Sequence, residues 1–322
     1  MTSAPRVSVA IPLYNEESGV GELLRRVRAV LDALPGGPHE LVLVNDGSSD
    51  RTLDLLEQAA LHDERIVVIS LSRNFGHQAA LTAALDHVTG DVTILMDGDL
   101  QDEPENIPRF LERYRDGFDV VYAIRERRRE PFWLRVCYFV FYRALAGMSD
   151  VRLPLDAGDF GLMSRRVVQE LRRYPERHRY LRGLRAWAGF RQTGIALDRP
   201  QRFAGTSKYS MTKLVGLALD GVFSFSTVPL RMATLVGAFA IAASTLFALY
   251  ALYVRIVLER SPQGFTALML LIVFLSGVNL FFLGVIGEYL GRVYEQVKAR
   301  PSYVVGRVIR RASPERQPST LV

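Results

Sequence analysis

The chain has 322 residues and a mass of 36.2 kDa, and its 49% hydrophobic and 23% charged side chains exclude a disordered chain or a collagen-like repeat. The single cysteine, Cys137, cannot close an internal disulfide, so a disulfide scaffold is excluded and a reducing compartment is favoured. The net charge of +6 and the pI near 9.5 predict an anionic partner. Charge alone does not say whether this partner is a nucleic acid, a lipid or a nucleotide.

The N-terminal part of the chain alternates short apolar segments with segments of helical periodicity. Strands are predicted at residues 7–13, 41–44, 66–71, 92–96 and 120–123. Helices are predicted at residues 20–34, 53–61 and 78–87. This alternation predicts an α/β fold with a parallel sheet that is covered by helices on both faces and binds its ligand at the carboxyl ends of the strands.

Acidic residues follow several of the predicted strands. Glu16 follows the first strand, Asp46 the second, and Asp97 and Asp99 the fourth, so we expect them to converge at one edge of the sheet. No G-x-G-x-x-G motif follows the first strand and no G-x-x-x-x-G-K-[ST] motif occurs, which argues against a dinucleotide dehydrogenase and a Walker-type ATPase. The Asp97-x-Asp99 pair predicts a divalent cation that neutralises nucleotide phosphates, with an ordinary polar turn as the alternative.

A second acidic segment and two basic segments complete the candidate site. Asp156 is interpreted as the cap of a turn, whereas Asp159 is a candidate base or orienting group. Basic side chains cluster at residues 125–129 and around Arg202 and Lys208. Most side chains of such a charge run are solvated, so we expect at most two or three of these basic residues to contact phosphate. The glycine and hydroxyl residues just before Lys208 predict a mobile loop that covers a sugar nucleotide.

The C-terminal part of the chain carries the apolar excess that makes the mean hydropathy +0.10. The uncharged runs 232–254 and 267–287 are long enough to cross a hydrocarbon core of about 30 Å, and neither has the polar stripe of a soluble core helix. A buried hairpin in a soluble core is the alternative. The amphipathic, aromatic-rich stretches 131–146 and 211–226 predict helices that lie in the membrane interface, with ordinary core packing as the alternative.

These segments predict three regions: a cytoplasmic catalytic domain at 1–228, a transmembrane hairpin at 229–291 with spans at 232–256 and 266–289, and a cytoplasmic basic tail at 292–322. The connection between the spans carries only Arg255 and Arg260 as basic residues, whereas the outer flanks carry more, so both termini are expected in the cytoplasm. Residues 6–13 are too short for the core of a signal peptide, so the catalytic domain is expected to stay on that side.

In these motifs the chain resembles the polyprenyl-phosphate glycosyltransferases of glycosyltransferase family 2, which include bactoprenol glucosyltransferases and dolichol-phosphate mannose synthases. The matching segments are, in chain order, 11–16 (IPLYNE), 44–50 (VNDGSSD), 73–76 (RNFG), 97–102 (DGDLQD), 156–160 (DAGDF), 202–209 (RFAGTSKY) and the two spans. The resemblance implies a GT-A fold and the transfer, with inversion, of one sugar from a nucleotide donor to polyprenyl phosphate. It favours UDP-glucose, undecaprenyl phosphate and Mg²⁺ or Mn²⁺, and leaves GDP-mannose or a UDP-amino-sugar as alternative donors.

The resemblance also implies roles for individual residues. The nucleotide-sugar would be held by Pro12, Tyr14, Glu16, Val44, Asp46, Asp97 and Gly98. The metal would be held by Asp97, Asp99 and Gln101, and the donor and acceptor phosphates by Arg125, Arg202 and Lys208. Asp159 stands where the family has its proposed catalytic aspartate. In one departure, Gly161 replaces an arginine found in many relatives, so that a phosphate contact from this position is either lost or supplied from elsewhere, with Arg165 and Arg166 as candidates.

The acceptor chemistry bears on the role of Asp159. A phosphate monoester has a second pKa near 6 and is mostly a dianion at pH 7, so this nucleophile hardly needs a base. We therefore expect Asp159 to orient the acceptor or to keep it deprotonated, rather than to act as a strong general base.

Two other functions compete with this interpretation. A processive polysaccharide synthase is disfavoured because two spans form no channel and Arg185-Ala-Trp187 lacks the leading glutamine of a Q-x-x-R-W motif. A non-catalytic membrane adaptor is disfavoured because the acidic residues of the site are intact. The expected partners are thus a nucleotide-sugar, polyprenyl phosphate and the lipid bilayer of the cell membrane, not nucleic acid. Small residues in the spans and the segment 303–309 also permit a homo-oligomer.

Overall fold

The computed structural model describes residues 4–125, 157–176, 179–197, 228–257 and 264–311. The chain divides into two compact units. The first unit comprises Met1–Tyr142, Val151–Met211 and Pro301–Val322, and the second comprises Arg143–Asp150 and Thr212–Arg300. The predicted interface helices at 131–146 and 211–226 lie outside the described residues and stay predictions.

The first unit is built on one sheet. Its strands in the described part of the chain are β1 (Val7–Leu13), β2 (Glu40–Asn45), β3 (Ile66–Leu71), β4 (Val92–Leu95), β5 (Val120–Arg125), β6 (Ala157–Ser164), β7 (Gln192–Leu197) and β8 (Val305–Ile309). They lie in the order β7-β5-β6-β4-β1-β2-β3-β8. The pairs β1–β2, β1–β4, β2–β3 and β5–β7 are parallel, whereas β4–β6, β5–β6 and β3–β8 are antiparallel. The sheet is therefore mixed rather than parallel throughout, because β6 and β8 run against their neighbours.

Helices pack on both faces of this sheet. They are α1 (Val20–Ala33), α2 (Thr52–His62), α3 (His77–His87), α4 (Ile107–Arg115), α5 (Arg165–Arg173) and α6 (Leu181–Trp187). Successive side chains of a strand point to opposite faces, so Ile11 joins the core beneath α1, α2 and α4, and Ala10 joins the core beneath α3, α5 and α6. The predicted α/β class with helices on both faces is confirmed, and the strands predicted before residue 126 are all present.

The sheet includes a strand from the C-terminal end of the chain. β8 pairs antiparallel with β3, with Ile309 opposite Val68, and the N–H of Ser72 donates to the carbonyl oxygen of Val304. The Arg307 guanidinium also forms an ion pair of 2.7 Å with Glu57 on α2. This differs from the predicted basic tail, because part of the segment 292–322 returns to the first unit and covers the edge of β3.

The second unit contains two long helices that contact each other, α7 (Val228–Ile256) and α8 (Phe265–Val297). Within them, Leu230–Tyr250 and Leu271–Val297 are long and apolar enough to cross a membrane, each with a mean hydropathy of 2.0. Their large apolar side chains, such as Phe239 and Phe274, are exposed. A contiguous exposed apolar surface of this kind indicates association with a membrane.

Candidate functional site

The carboxyl ends of β1, β2 and β4 meet at one edge of the sheet. Pro12 lies opposite Val44 in the β1–β2 register, and the turn after β4 packs on the end of β1. This packing requires glycine, since a Cβ at Gly98 would lie 2.4 Å from Leu13 Cδ2 and 3.2 Å from the Pro12 oxygen. The structure thus brings Pro12, Val44 and Gly98 together, although the side chain of Val44 is fully buried in the core and only its backbone borders this edge.

The loops after β1 and β2 are tied to each other by hydrogen bonds. Asn15, at φ 53°, accepts a 2.8 Å bond on its Oδ1 from the Ser49 N–H, and the Glu16 N–H donates to Thr52 Oγ1 at 2.9 Å. Tyr14 stands exposed beside this joint, with 41% of its surface accessible. The two hydrogen-bonded loops form a shelf beside which Tyr14 is exposed, and its nucleoside-binding role stays a prediction.

Asp46 uses its carboxylate to hold the loop after β3. Its two oxygens accept hydrogen bonds from the N–H groups of Phe75, at 2.8 Å, and Gly76, at 3.0 Å. Asp46 is 3% exposed, and this burial raises its pKa despite the two bonds. Asp46 thus fixes the RNFG loop and with it the position of His77 at the start of α3, while its role towards a nucleoside stays a prediction.

The acidic turn after β4 is closed by its own side chains. The Asp97 N–H donates to Asp102 Oδ2, and the Gln101 N–H donates to Asp99 Oδ1, each at 3.1 Å. Leu100 adopts φ 60° within this turn. These bonds fix the conformation that presents the predicted metal-binding residues Asp97, Asp99 and Gln101 on one short segment.

The donor set of this turn fits a hard cation. Carboxylate and amide oxygens suit Mg²⁺ and Mn²⁺, which commonly take one or two protein carboxylates and complete their shell with substrate phosphates and water. Among the described residues no group of three or more His, Cys, Asp or Glu side chains is arranged to hold a metal by itself. Asp97 and Asp99 are thus suited to a cation that arrives with a diphosphate.

Asp159 lies beside this turn because β6 pairs with β4. Gly161 is opposite Leu95 in this antiparallel register, so Asp159 lies level with Asp97. His77 connects the two carboxylates, with its Nε2 at 3.6 Å from Asp97 Oδ1 and 3.7 Å from Asp159 Oδ2. Burial opposes the charge of this imidazole, but the two carboxylates together raise the pKa of His77 above its usual value.

A bidentate ion pair holds the carboxylate of Asp159. Arg182 donates from Nε to Oδ1 and from Nη2 to Oδ2, both at 2.7 Å, and Asp159 is only 8% exposed. Burial disfavours the charged form, yet Arg182 and His77 hold the pKa of Asp159 well below its usual range. A carboxylate in this setting is a weak base and a firmly oriented one.

Arg185 lies one turn further along α6 and is almost completely buried, at 3% exposure. Its Nη2 donates to the Gly158 oxygen at 3.2 Å and its guanidinium lies 5.3 Å from the centre of the Tyr122 ring. Its Nε has no hydrogen-bond partner in the described part of the chain. Burial lowers the pKa of Arg185 to about 10.

Sequence reasoning missed His77, Arg182 and Arg185. The signal that could have found the two arginines is their spacing of three residues in the short segment LRGLRAW, which puts both on one face of a helix. His77 directly follows the RNFG motif, but only the three-dimensional structure shows that its Nε2 lies 3.6 Å from Asp97 of the acidic turn.

Of the two alternatives for position 161, the structure disfavours a phosphate contact from Arg165 or Arg166. A Cβ at Gly161 would lie 2.3 Å from the Val121 oxygen, so β6 leaves no room for a side chain there. Arg166 pairs with Asp119 and Arg165 Nη1 lies 3.9 Å from Asp91 Oδ1, both at the opposite end of β6 from Asp159. The cations beside Asp159 come from α6 instead.

The predicted phosphate ligands are only partly within the described residues. Arg125 is the last residue of β5 and lies opposite Leu197 of β7. Its predicted contact with phosphate stays a prediction, because its side chain is not among the described parts of the chain. Arg202, Lys208 and Asp156 lie outside the described residues, and their roles stay predictions.

Comparison with known proteins agrees with the expected family. The family model described as glycosyl transferase family 2 matches residues 8–172. The uncharacterized glycosyltransferase YkcC of Bacillus subtilis (strain 168) is 40% identical over 299 residues, which cover 92% of each chain. The bactoprenol glucosyl transferase of Shigella phage SfX is 38% identical over 93% of this chain and 98% of its own. The undecaprenyl-phosphate 4-deoxy-4-formamido-L-arabinose transferase of Pseudomonas paraeruginosa is 38% identical over 98% of this chain and 93% of its own.

Solved structures include similar folds at low identity. A mannosyltransferase from Pyrobaculum calidifontis, solved with GDP-Man and Mn²⁺, has a TM-score of 0.45 and 17% identity over 94% of this chain and 86% of its own. The family model matches half of this chain, and the curated relatives cover more than nine-tenths of it. The chain therefore belongs to glycosyltransferase family 2, and it is a glycosyltransferase with a GT-A fold.

Proposed function

We propose that the protein transfers a single sugar from a nucleotide-sugar to undecaprenyl phosphate, with inversion, at the cytoplasmic face of the cell membrane. One observation carries this proposal: the acidic turn Asp97–Asp99 and the buried Asp159–Arg182 pair meet at one edge of the sheet, linked by His77. Relatives named for transfer of sugars to bactoprenol or undecaprenyl phosphate are 38% identical to this chain over 93% and 98% of its length, which supports the proposal.

The donor fits the shelf and the acidic turn. Tyr14 is exposed beside the loops of β1 and β2, between Pro12 at the end of β1 and Glu16 in the loop that follows. Asp97, Asp99 and Gln101 would hold Mg²⁺ or Mn²⁺ together with the donor diphosphate. The bound cation would neutralise the leaving nucleoside diphosphate as a Lewis acid.

The setting of Asp159 supports an orienting role. The acceptor phosphate is mostly a dianion at pH 7, so no proton has to be removed before it attacks. Arg182 and His77 hold the pKa of Asp159 well below its usual range, which makes Asp159 a poor proton acceptor. Asp159 would therefore position the groups around the acceptor, and its own charge would stay constant through the reaction.

The two apolar helices match the acceptor. A polyprenyl chain stays in the bilayer, so an enzyme that spans the same bilayer meets its substrate by diffusion in two dimensions. Leu230–Tyr250 would be one span, and the apolar part of Leu271–Val297 would be the other. The basic excess on their outer flanks supports a cytoplasmic location for both ends of the chain.

The decisive experiment measures release of nucleoside diphosphate by the full-length protein in lipid nanodiscs with Mg²⁺. We expect release only when undecaprenyl phosphate is present and UDP-glucose is the donor. Lipid-dependent release from GDP-mannose or from a UDP-amino-sugar, rather than from UDP-glucose, would change the proposed donor but not the proposed class of reaction. Release that does not depend on the lipid phosphate with any donor would contradict the proposed function.

A further inference from the structure

Two arginines of α6 lie near the carboxylate of Asp159, and only Arg182 contacts it. Arg182 makes the bidentate contact with Asp159, and Arg185 lies buried beneath it on the Gly158 oxygen. His77 adds a third basic group at 3.7 Å from the same carboxylate. His77 also lies 3.6 Å from Asp97, and the ion pair with Arg182 balances Asp159, so the cation that can favour a further anion here is the buried Arg185, whose bond goes to a backbone oxygen.

Of the two arginines of α6, Arg182 is the one that an incoming ligand can reach, while His77 on α3 is also accessible, at 42% exposure. The side chain of Arg182 is 26% exposed, whereas Asp159 is 8% and Arg185 is 3% exposed. A guanidinium carries five N–H donors in a planar fork and can hold a carboxylate on one edge and a phosphate on another. Arg182 is therefore built to connect a buried carboxylate to an anion that arrives from outside.

The proposed reaction specifies which anion this is. Asp97 and Asp99 would hold the leaving diphosphate, and an in-line displacement needs the nucleophile on the opposite side of the anomeric carbon. His77 lies between Asp97 and Asp159. A leaving diphosphate held at Asp97 would therefore have Asp159 and Arg182 as its neighbours beyond His77. The acceptor phosphate would then approach the Arg182 side.

We propose that Arg182 is a ligand of the acceptor phosphate and bridges it to Asp159, while the buried Arg185 balances the charge of Asp159. This inference rests on the proposed function, since it assigns a residue to the polyprenyl phosphate. It also explains why α6 carries two arginines, because a phosphate dianion next to Asp159 needs more than one cation.

The first test compares Arg182→Gln and Arg182→Lys in the full-length protein in detergent. Binding of farnesyl phosphate, a short polyprenyl phosphate, is measured by calorimetry, and the KM for UDP-glucose is measured beside it. We expect Arg182→Gln to weaken farnesyl phosphate binding about tenfold or more, Arg182→Lys to weaken it less, and the KM for the donor to change about threefold at most. Equal losses for lipid phosphate and donor would overturn the proposal.

The control is Arg166→Gln, because Arg166 makes the same bidentate contact with a buried aspartate, Asp119, at the other end of β6. This variant should bind farnesyl phosphate like the wild type. A loss in the control equal to that in Arg182→Gln would show that the effect is structural and would also overturn the proposal.

A double-mutant cycle with Asp159→Asn separates phosphate binding from mere neutralisation of Asp159. If Arg182 contacts the phosphate, Arg182→Gln still weakens farnesyl phosphate binding in the Asp159→Asn background. If Arg182 only neutralises Asp159, the second substitution has no further effect and the proposal fails. Failure of the proposed function would look different, because the wild type itself would then fail to bind farnesyl phosphate more tightly than farnesol.

Discussion

Asp159 combines burial with two basic neighbours, and this combination decides its protonation state. Burial alone would favour the neutral acid, but the bidentate Arg182 contact at 2.7 Å outweighs it and keeps the carboxylate charged. A group whose folded pKa is depressed contributes stability above its unfolded pKa of about 3.9 and loses it as the pH falls towards the folded pKa. Between pH 6 and pH 9 the charge of Asp159 is therefore constant.

This constancy gives a prediction for Asp159→Asn. We expect a large fall in kcat, of about 10²-fold or more, because Arg182 loses its charged partner and its orientation. Activity should stay low up to pH 9, since deprotonation of the acceptor is not the missing step. The acid limb near pH 6, set by the acceptor phosphate, should be the same in wild type and variant. Recovery of kcat above about pH 8 would instead identify Asp159 as the base.

Gly161 shows how closely β6 packs on β5. An alanine Cβ would lie 2.3 Å from the Val121 oxygen and 2.9 Å from the Tyr122 Cα, and both are backbone atoms that cannot move aside cheaply. We expect Gly161→Ala to lower the free energy of unfolding by about 1–3 kcal/mol, measured by denaturant titration.

The matched control for this substitution is Gly21→Ala on α1. No atom lies within 4 Å of its added Cβ, and alanine favours a helix, so stability should rise by about 0.5–1 kcal/mol. Equal effects of the two substitutions would show that the close approach at Gly161 does not matter.

Among the elements, those with strong hydrophobic periodicity were predictable from sequence. β1 and β3 are short β-branched runs, and the structure has them at Val7–Leu13 and Ile66–Leu71, as predicted. β6 was missed because AGDFGLMS contains two glycines and an aspartate, which local patterns assign to turns. β8 was missed because its pairing with β3 joins residues more than 200 positions apart, and no local pattern reports such a contact.

In the candidate site, too, the residues with a local sequence signal were predictable and those that depend on long-range packing were not. The acidic turn at Asp97 and Asp99 was predictable, because it directly follows an apolar strand. The pairing of Arg182 with Asp159 was not, because it depends on how α6 packs against β6.

β8 gives a prediction at the scale of one element. Removal of residues 301–322 would leave the N–H and C=O groups of β3 unpaired along the edge of the sheet, an arrangement that promotes aggregation. We expect this truncation to lower the Tm by several degrees and to increase aggregation, both measured in detergent. Removal of residues 312–322 alone should change neither, because β8 stays in place. An unchanged Tm in the longer truncation would show that β8 adds nothing to the sheet.

α8 is longer than a membrane is thick. Its 33 residues span about 50 Å, against a hydrocarbon core of about 30 Å. The charged residues of α8 lie near its C-terminal end, where Glu288 pairs with Arg292 and Glu295 with Lys298. We infer that the apolar part of α8 crosses the bilayer and that its last turns extend beyond it.

For the whole molecule, the proposed topology predicts which residues can be labelled from outside. In a Cys137→Ser background, Ser261→Cys lies between α7 and α8, and Ala312→Cys lies after β8. A membrane-impermeant maleimide should label Ser261→Cys in intact cells and Ala312→Cys only after permeabilisation. Labelling of Ala312→Cys but not Ser261→Cys in intact cells would indicate the inverted topology. Labelling of both cysteines in intact cells would contradict a membrane-spanning hairpin.

The position of β8 in the chain also sets an order of events during synthesis. Its strand follows both apolar helices, so the ribosome must complete α7 and α8 before the last strand of the sheet exists. Until then the edge of β3 is open, and the sheet can be finished only by a chain that has produced its entire hairpin. A chain that stops early is thus left with an incomplete catalytic unit, which couples completion of the sheet to synthesis of the two apolar helices.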